Sequence, residues 1–147
     1  MRGERVLGVI SPEVIFLGVL FSAQFLVRTM LDWFMPTVDF HARAEVSTFL
    51  GAGILFAAGF SGAWRSGSFT AGAISGVVTA SVAAIISVSG AAILLLVWHD
   101  PQTMSAIRGS GGLQEVFSLP LMMILPGAVL GSIGGIACLA TKKVLST

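Results

Sequence analysis

The sequence reads as an all-α polytopic membrane protein: four transmembrane helices in one bundle, with a short outer-face helix between the third and the fourth. Three observations carry this. Of 147 residues, 55% are hydrophobic and only 10% charged, whereas a soluble domain carries about a quarter of its residues charged. Mean hydropathy is +0.95. The apolar residues are also gathered into four continuous runs, at about 12–35, 46–64, 70–98 and 119–141, within one domain spanning 1–147. Each run reaches the roughly 20 residues that cross about 30 Å of hydrocarbon at 1.5 Å per residue. Barrel strands would instead alternate apolar and polar residues.

The same composition excludes several function classes. Too few polar side chains exist to cover a water-soluble enzyme, and a net charge of +1 does not suit a nucleic-acid binder. Cys138 is the single cysteine, so there is no disulfide framework and no thiolate zinc site. Phosphate-loop and dinucleotide fingerprints are absent, and no nucleophile elbow occurs among the many serines. Neither a catalytic residue nor a cofactor is expected.

Taken in order, the first span opens at Ser11-Pro12-Glu13: a capping hydroxyl, a proline at the first helical position and an acid near the positive end of the dipole. The leader before it, with Arg2 and Arg5, resembles the charged start of a signal peptide. No small-x-small cleavage site follows, so the first span is expected to stay attached. A short polar connection from Pro36 to Glu45 leads to the second span, and a tight turn around Arg65-Ser66-Gly67-Ser68 makes spans two and three antiparallel neighbours. Between Arg65 and His99 there is no ionisable side chain. Asp100-Pro101 marks a helix start, giving a small surface helix over 101–107 that Gly109-Ser110-Gly111-Gly112 ends. Pro120 and Pro126 should kink the fourth span by freeing carbonyls.

Charge placement sets the topology. With four spans, both termini share a side. That side holds Arg2, Arg5, Arg65, Lys142 and Lys143 against Glu4 and Glu13. The other holds Arg28, Arg43 and Arg108 against Asp32, Asp39, Glu45, Asp100 and Glu115. The positive-inside rule then places both termini in the cytoplasm, in a bacterial plasma (inner) membrane. Trp33, Trp64 and Trp98 each end an apolar run, where an indole can straddle the interface. Trp33-x-x-Pro36 and Trp98-x-x-Pro101 also echo each other, each followed by an arginine and a Glu-Val pair, the pattern a duplicated two-helix hairpin would leave.

Small residues at helical spacing give the densest signal. Gly127, Gly131 and Gly135 form a GxxxGxxxG stripe on the fourth span; Gly72, Gly76, Ala80 and Ala84 form one on the third, and Gly53, Ala57 and Ser61 one on the second. Residues four apart share a face, and without side chains there two backbones can approach closely. Such stripes serve either packing within the chain or contact with a partner subunit. On the first span, Gln24, Arg28 and Asp32 fall on one face at successive i, i+4 steps. An ionisable group inside a membrane is a functional candidate, so these three are a candidate polar path. In the tamer reading Arg28 pairs with Asp32 and reaches outward, while Gln24 bonds to another helix. His41, His99, Asp39 and Asp100 are metal candidates by residue type alone, since their spacing matches no ligand pattern and no metal is favoured.

The expected role is therefore a non-enzymatic structural or accessory subunit, or a homo-oligomer, packed through its Gly/Ala stripes. Its partners would be the bilayer and either itself or other membrane subunits, with no nucleic acid. The alternative is a small transporter or channel whose path is lined by the polar face of the first helix.

Overall fold

The computed structural model describes residues 11–37, 40–109 and 112–146. The charged leader, Asp39 and the Ser110-Gly111 pair lie outside them. Among the described residues six helices follow one another: α1 (Pro12–Phe34), α2 (Phe40–Ser66), α3 (Phe69–Val97), α4 (Pro101–Gly109), α5 (Gly112–Met122) and α6 (Ile124–Leu145). No strand occurs among the described residues. Among the described residues four stretches are long and apolar enough to cross a membrane: α1, His41–Ser66 of α2, α3, and Gly112–Leu145, which joins α5 and α6.

The helix boundaries follow backbone chemistry more closely than hydropathy. Ser11 caps α1, its Oγ accepting from Val14 N at 3.4 Å with Pro12 just inside. Gly67, at φ +69°, supplies the left-handed residue that ends α2, and its N–H donates to Ala63 O at 2.8 Å. Helix α2 begins at Phe40, well ahead of the apolar run expected from 46, because polar residues can occupy a helix turn outside the hydrocarbon. The fourth span likewise starts at Gly112, not near 119, and is interrupted at Met123. Pro126 lacks the N–H that would serve the Met122 carbonyl, so the break falls just before that proline.

The interior is built from small residues and the exterior from large apolar ones. Ala58, Ala63, Ala80, Ala84, Ser75 and Thr79 are buried, while Phe49, Leu96 and Leu125 are 75–78% exposed. That inversion of a soluble core is what a lipid solvent permits, since close backbone packing rather than water exclusion holds the helices together. Helix α6 packs against both α2 and α3, α1 packs chiefly against α3, and α4 lies against α1 and α5. A side chain on Gly127 would come within 2.8 Å of Gly76 O, and one on Gly72 within 2.7 Å of Gly131 O and 2.9 Å of Gly59 O. Gly135 backs onto Phe69, and Gly134 onto the Phe56 carbonyl. The α1–α3 contact adds a hydrogen bond from Thr79 Oγ1 to Val14 O at 3.2 Å. Phe21, Phe25 and Leu55 form an apolar cluster with Ala80 and Ala83, the two rings 5.3 Å apart.

Two expectations need correction. The stripe on α2 is not Gly53, Ala57 and Ser61: a β-carbon at Gly53 would meet nothing within 4 Å, and Ala57 is exposed. Gly51, Gly59 and Gly62 face the neighbours instead, against Phe21, Gly131 and Ser75. Trp33 is not at a lipid interface either; it is 3% exposed, whereas Trp64 and Trp98 are half-exposed. It shares the inward face of α1 with Asp32, at the end where α4 packs.

Candidate functional site

Gln24, Arg28 and Asp32 succeed one another up the inner face of α1, and the helix that follows runs back beside it. This places Arg43 and Ser47, also four apart, opposite that face. Arg43 Nη1 donates to Leu31 O at 3.0 Å, a carbonyl that also accepts from Met35 N at 2.9 Å, and to Met35 O at 2.9 Å, capping the end of α1. The same nitrogen lies 3.4 Å from Asp32 Oδ1, while Arg28 Nε lies 3.5 Å from Asp32 Oδ2. The Asp32 side chain is 10% exposed and that of Arg28 17%. Two guanidinium groups thus share the Asp32 carboxylate in a largely buried place.

Deeper along α1, Ser47 Oγ donates to Gln24 Oε1 at 3.1 Å. The amide nitrogen of Gln24 is buried and has no hydrogen-bond partner among the described residues, and the same holds for Ser87 Oγ on α3. Buried polar groups in folded proteins are almost always paired, so each marks a place where a further polar group would be favoured.

Three cavities meet at this cluster, and Arg28 lines all of them. A groove of about 510 Å³ runs between α1 and α2, lined by Gln24, Arg28, Arg43 and Ser47 together with Val27 and Val46, and its surface is almost wholly apolar. A second cavity, about 330 Å³, is bounded by Arg28, Phe25 and Ser47 on one side and by Leu119, Met123 and Pro126 of the fourth span on the other. A third, about 30 Å³, is bounded by Arg28, Asp32, Ser87 and Pro120. It has room for a water molecule and enough polar neighbours to hold one. Arg28 therefore pairs with Asp32, as expected of the polar face of α1, and its side chain is largely buried.

Arg43 and Ser47 were hidden from sequence reasoning. Arg43 lies ahead of the apolar run and counts there as a loop charge, and only the early start of α2 puts it on a helix facing Asp32. The signal available was its spacing to Ser47, the same step that joins Gln24 to Arg28.

The remaining candidates lie elsewhere. Gly72, Gly76, Gly127, Gly131 and Gly135 all meet neighbours within the chain. His41 and His99 are exposed, and among the described residues no three of His, Cys, Asp and Glu come together as a metal site. Asp100 caps α4: Thr103 Oγ1 donates to Oδ2 at 2.7 Å, and Oδ1 accepts from Thr103 N at 3.1 Å and Gln102 N at 3.0 Å. The Thr103 hydroxyl first, then these backbone N–H groups, hold its carboxyl below the usual range. Because folding lowers this pKa, the cap's contribution is full above the unfolded value of about 3.9 and is lost as pH falls through the folded value. The protection of the Gln102 and Thr103 amides, taken relative to the intrinsic exchange rate at each pH, should thus fall on acidification below about pH 4, and the Asp100→Asn variant should lose that acid-dependent step. At the opposite end of the molecule, Arg65 pairs with Glu13, Ser61 Oγ donates to Glu13 Oε2 at 3.0 Å, and Lys142 donates to the Trp64 carbonyl. These contacts tie α1, α2 and α6 together.

Four helices long and apolar enough to cross a bilayer, around an interior of small residues, are the features of an integral membrane protein. Comparison with known proteins returns no matching family model, no matching curated protein and no matching solved structure.

Proposed function

We propose that the chain is a small transporter or channel of the membrane, non-enzymatic, with a path for an anionic ligand along the polar face of α1. The observation that carries this is that Arg28 lines three cavities, two of which are also bounded by the broken fourth span. An ionised group inside a membrane costs several kcal/mol unless it faces protein or a watery cavity. Guanidinium groups donate hydrogen bonds and accept none, so a ligand beside Arg28 and Arg43 would be an anion sooner than a cation. The break at Met123 lies on the wall of the 330 Å³ cavity, together with Pro126, and offers a bending point beside it. In this reading both termini are cytoplasmic, the membrane is a bacterial inner membrane, and the Arg43 end with α4 faces outward.

An accessory subunit or homo-oligomer held through glycine stripes has less support. The stripes that would form its contacts are already covered inside the chain.

The path can be tested with thiol chemistry. Cys138 is the sole cysteine and is buried, so Cys138→Ala gives a cysteine-free background. In membranes, a Ser47→Cys variant should react with a water-soluble thiol reagent, and an Ala58→Cys variant, at a packed and fully buried position, should not. Protection of Ser47→Cys equal to that of Ala58→Cys would remove the path.

A further inference from the structure

Resting on that reading, the break in the fourth span identifies the moving part of the path. The two halves of that span are held very differently. Helix α6 is locked, because Gly131 meets the backbone of α3 and Gly134 that of α2. Helix α5 packs chiefly against α3 and touches α4 and α6 more lightly. The cavity of about 330 Å³, lined by Leu119 on one side and by Ala44, Thr48 and Ala52 of α2 on another, gives it room to tilt. Its own ladder is weakened, since Pro120 cannot donate to Val116 O, nor Pro126 to Met122 O. Two hydrogen bonds still cross the joint, Met123 N to Leu119 O at 3.2 Å and Gly127 N to Met123 O at 2.9 Å. Helix α5 is thus hinged, not detached. At its other end Gly112 has φ +78°, the left-handed region open to glycine, and forms a second pivot.

Phe25, Arg28 and Leu119 line both this cavity and the pocket of about 30 Å³, and of the three Leu119 is the one carried by α5. Leu119 packs against the apolar cluster that includes Phe25, so these two side chains form an apolar partition between the spaces. Beyond the partition lie Asp32 and the Ser87 hydroxyl, which is buried and has no hydrogen-bond partner among the described residues. We infer that α5 is a gate and Leu119 its plug. Tilting about Met123 toward α2, α5 carries Leu119 into the larger cavity and joins the two spaces. An apolar constriction sheds water, so the closed plug stops water and ions without any charge of its own. With the plug withdrawn, the Ser87 hydroxyl and the Asp32 carboxylate face water, and their solvation offsets the apolar contact that Leu119 gives up.

The test is the rate at which Ser87→Cys, in the Cys138→Ala background and in membranes, reacts with an anionic, water-soluble methanethiosulfonate. Ser87→Cys should react about tenfold or more slowly than Ser47→Cys, as for an open state populated at about 10% or less. Leu119→Ala should raise the Ser87→Cys rate toward that of Ser47→Cys and leave Ser47→Cys itself unchanged. Because Leu119→Ala also removes packing, Leu119→Asn is the second variant. It keeps the size of the plug, admits water through its polarity, and should act in the same direction. Pro126→Ala returns a donor to Met122 O, stiffens the joint, and should slow Ser87→Cys further while sparing Ser47→Cys. A Ser87→Cys rate unmoved by both Leu119 variants, or equal acceleration at both cysteines, would overturn the gate. So would a parent rate already equal to that of Ser47→Cys, or an unchanged rate in Pro126→Ala. A reactive Ser47→Cys beside a Ser87→Cys indifferent to Leu119 keeps the path and loses the gate. No reaction at either position in any variant loses both.

Discussion

The Gly76→Val variant should fail to accumulate as a folded, monodisperse protein in mild detergent, and Gly131→Leu should behave in the same way. A β-carbon at Gly76 would collide with the Gly127 carbonyl oxygen, and one at Gly131 would lie 2.5 Å from Gly72 O and 3.0 Å from the Gly76 Cα. These neighbours are backbone atoms, so no rotamer change relieves the clash, and α3 and α6 must separate. Overpacking a side-chain core costs about 1–3 kcal/mol and occasionally more; against backbone on both sides the upper end applies, a large share of a stability of about 5–15 kcal/mol. Gly53→Ala is the control. Nothing lies within 4 Å of that position, so the only change is a better helix former, worth about 0.5–1 kcal/mol. Detergent thermal melts should rank Gly53→Ala at or above wild type and both stripe variants far below it. Wild-type stability in Gly131→Leu would mean that α6 does not cross α3 at these glycines.

The second large effect belongs to the charge cluster. Asp32→Ala should destabilise the chain by about 3 kcal/mol, the usual cost of removing one partner from a buried ion pair. Arg28 and Arg43 would then lose the Asp32 carboxylate they share. The cost arises from the charges left behind, so the double variant Asp32→Ala/Arg28→Leu should recover a good part of it. Arg43 remains engaged in that double variant, through Leu31 O and Met35 O at the end of α1. Melting temperatures of the two single variants and the double one form a complete cycle. If the double variant is as unstable as the sum of the singles, Arg28 and Asp32 do not interact, and the cluster cannot act as a unit.

The four apolar stretches are legible in the sequence because a lipid-facing helix has to be apolar over its whole length, and that constraint needs no knowledge of neighbours. The α1 cap and the helix after Asp100-Pro101 are legible for a similar reason, since capping chemistry is local. Features that depend on which helix lies opposite are harder to read. Alanines, glycines and serines occur on more than one face of α2, so a four-residue step selects Gly53, Ala57 and Ser61 as readily as the truly buried Gly59 and Gly62. Trp33 sits at the end of an apolar run, as an interfacial indole would, yet its own face of α1 is the inner one. The Gln24–Arg28–Asp32 face is readable from spacing within one helix. Its completion by Arg43 and Ser47 is a contact between helices, and nothing in the chain's hydropathy announces it.

For an anion path to exist, water must reach the arginine-lined cavity between α1, α2 and the fourth span. The most direct test is the rate at which the Ser47→Cys variant, in the Cys138→Ala background, reacts with thiol-specific methanethiosulfonates of opposite charge. Ser47 lines both the groove and the larger cavity, beside the two arginines. The anionic reagent should react faster than the cationic one, after each rate is normalised to a free thiol, and Arg43→Gln should shrink that preference. A cationic preference, or no reaction with either reagent, would contradict the account.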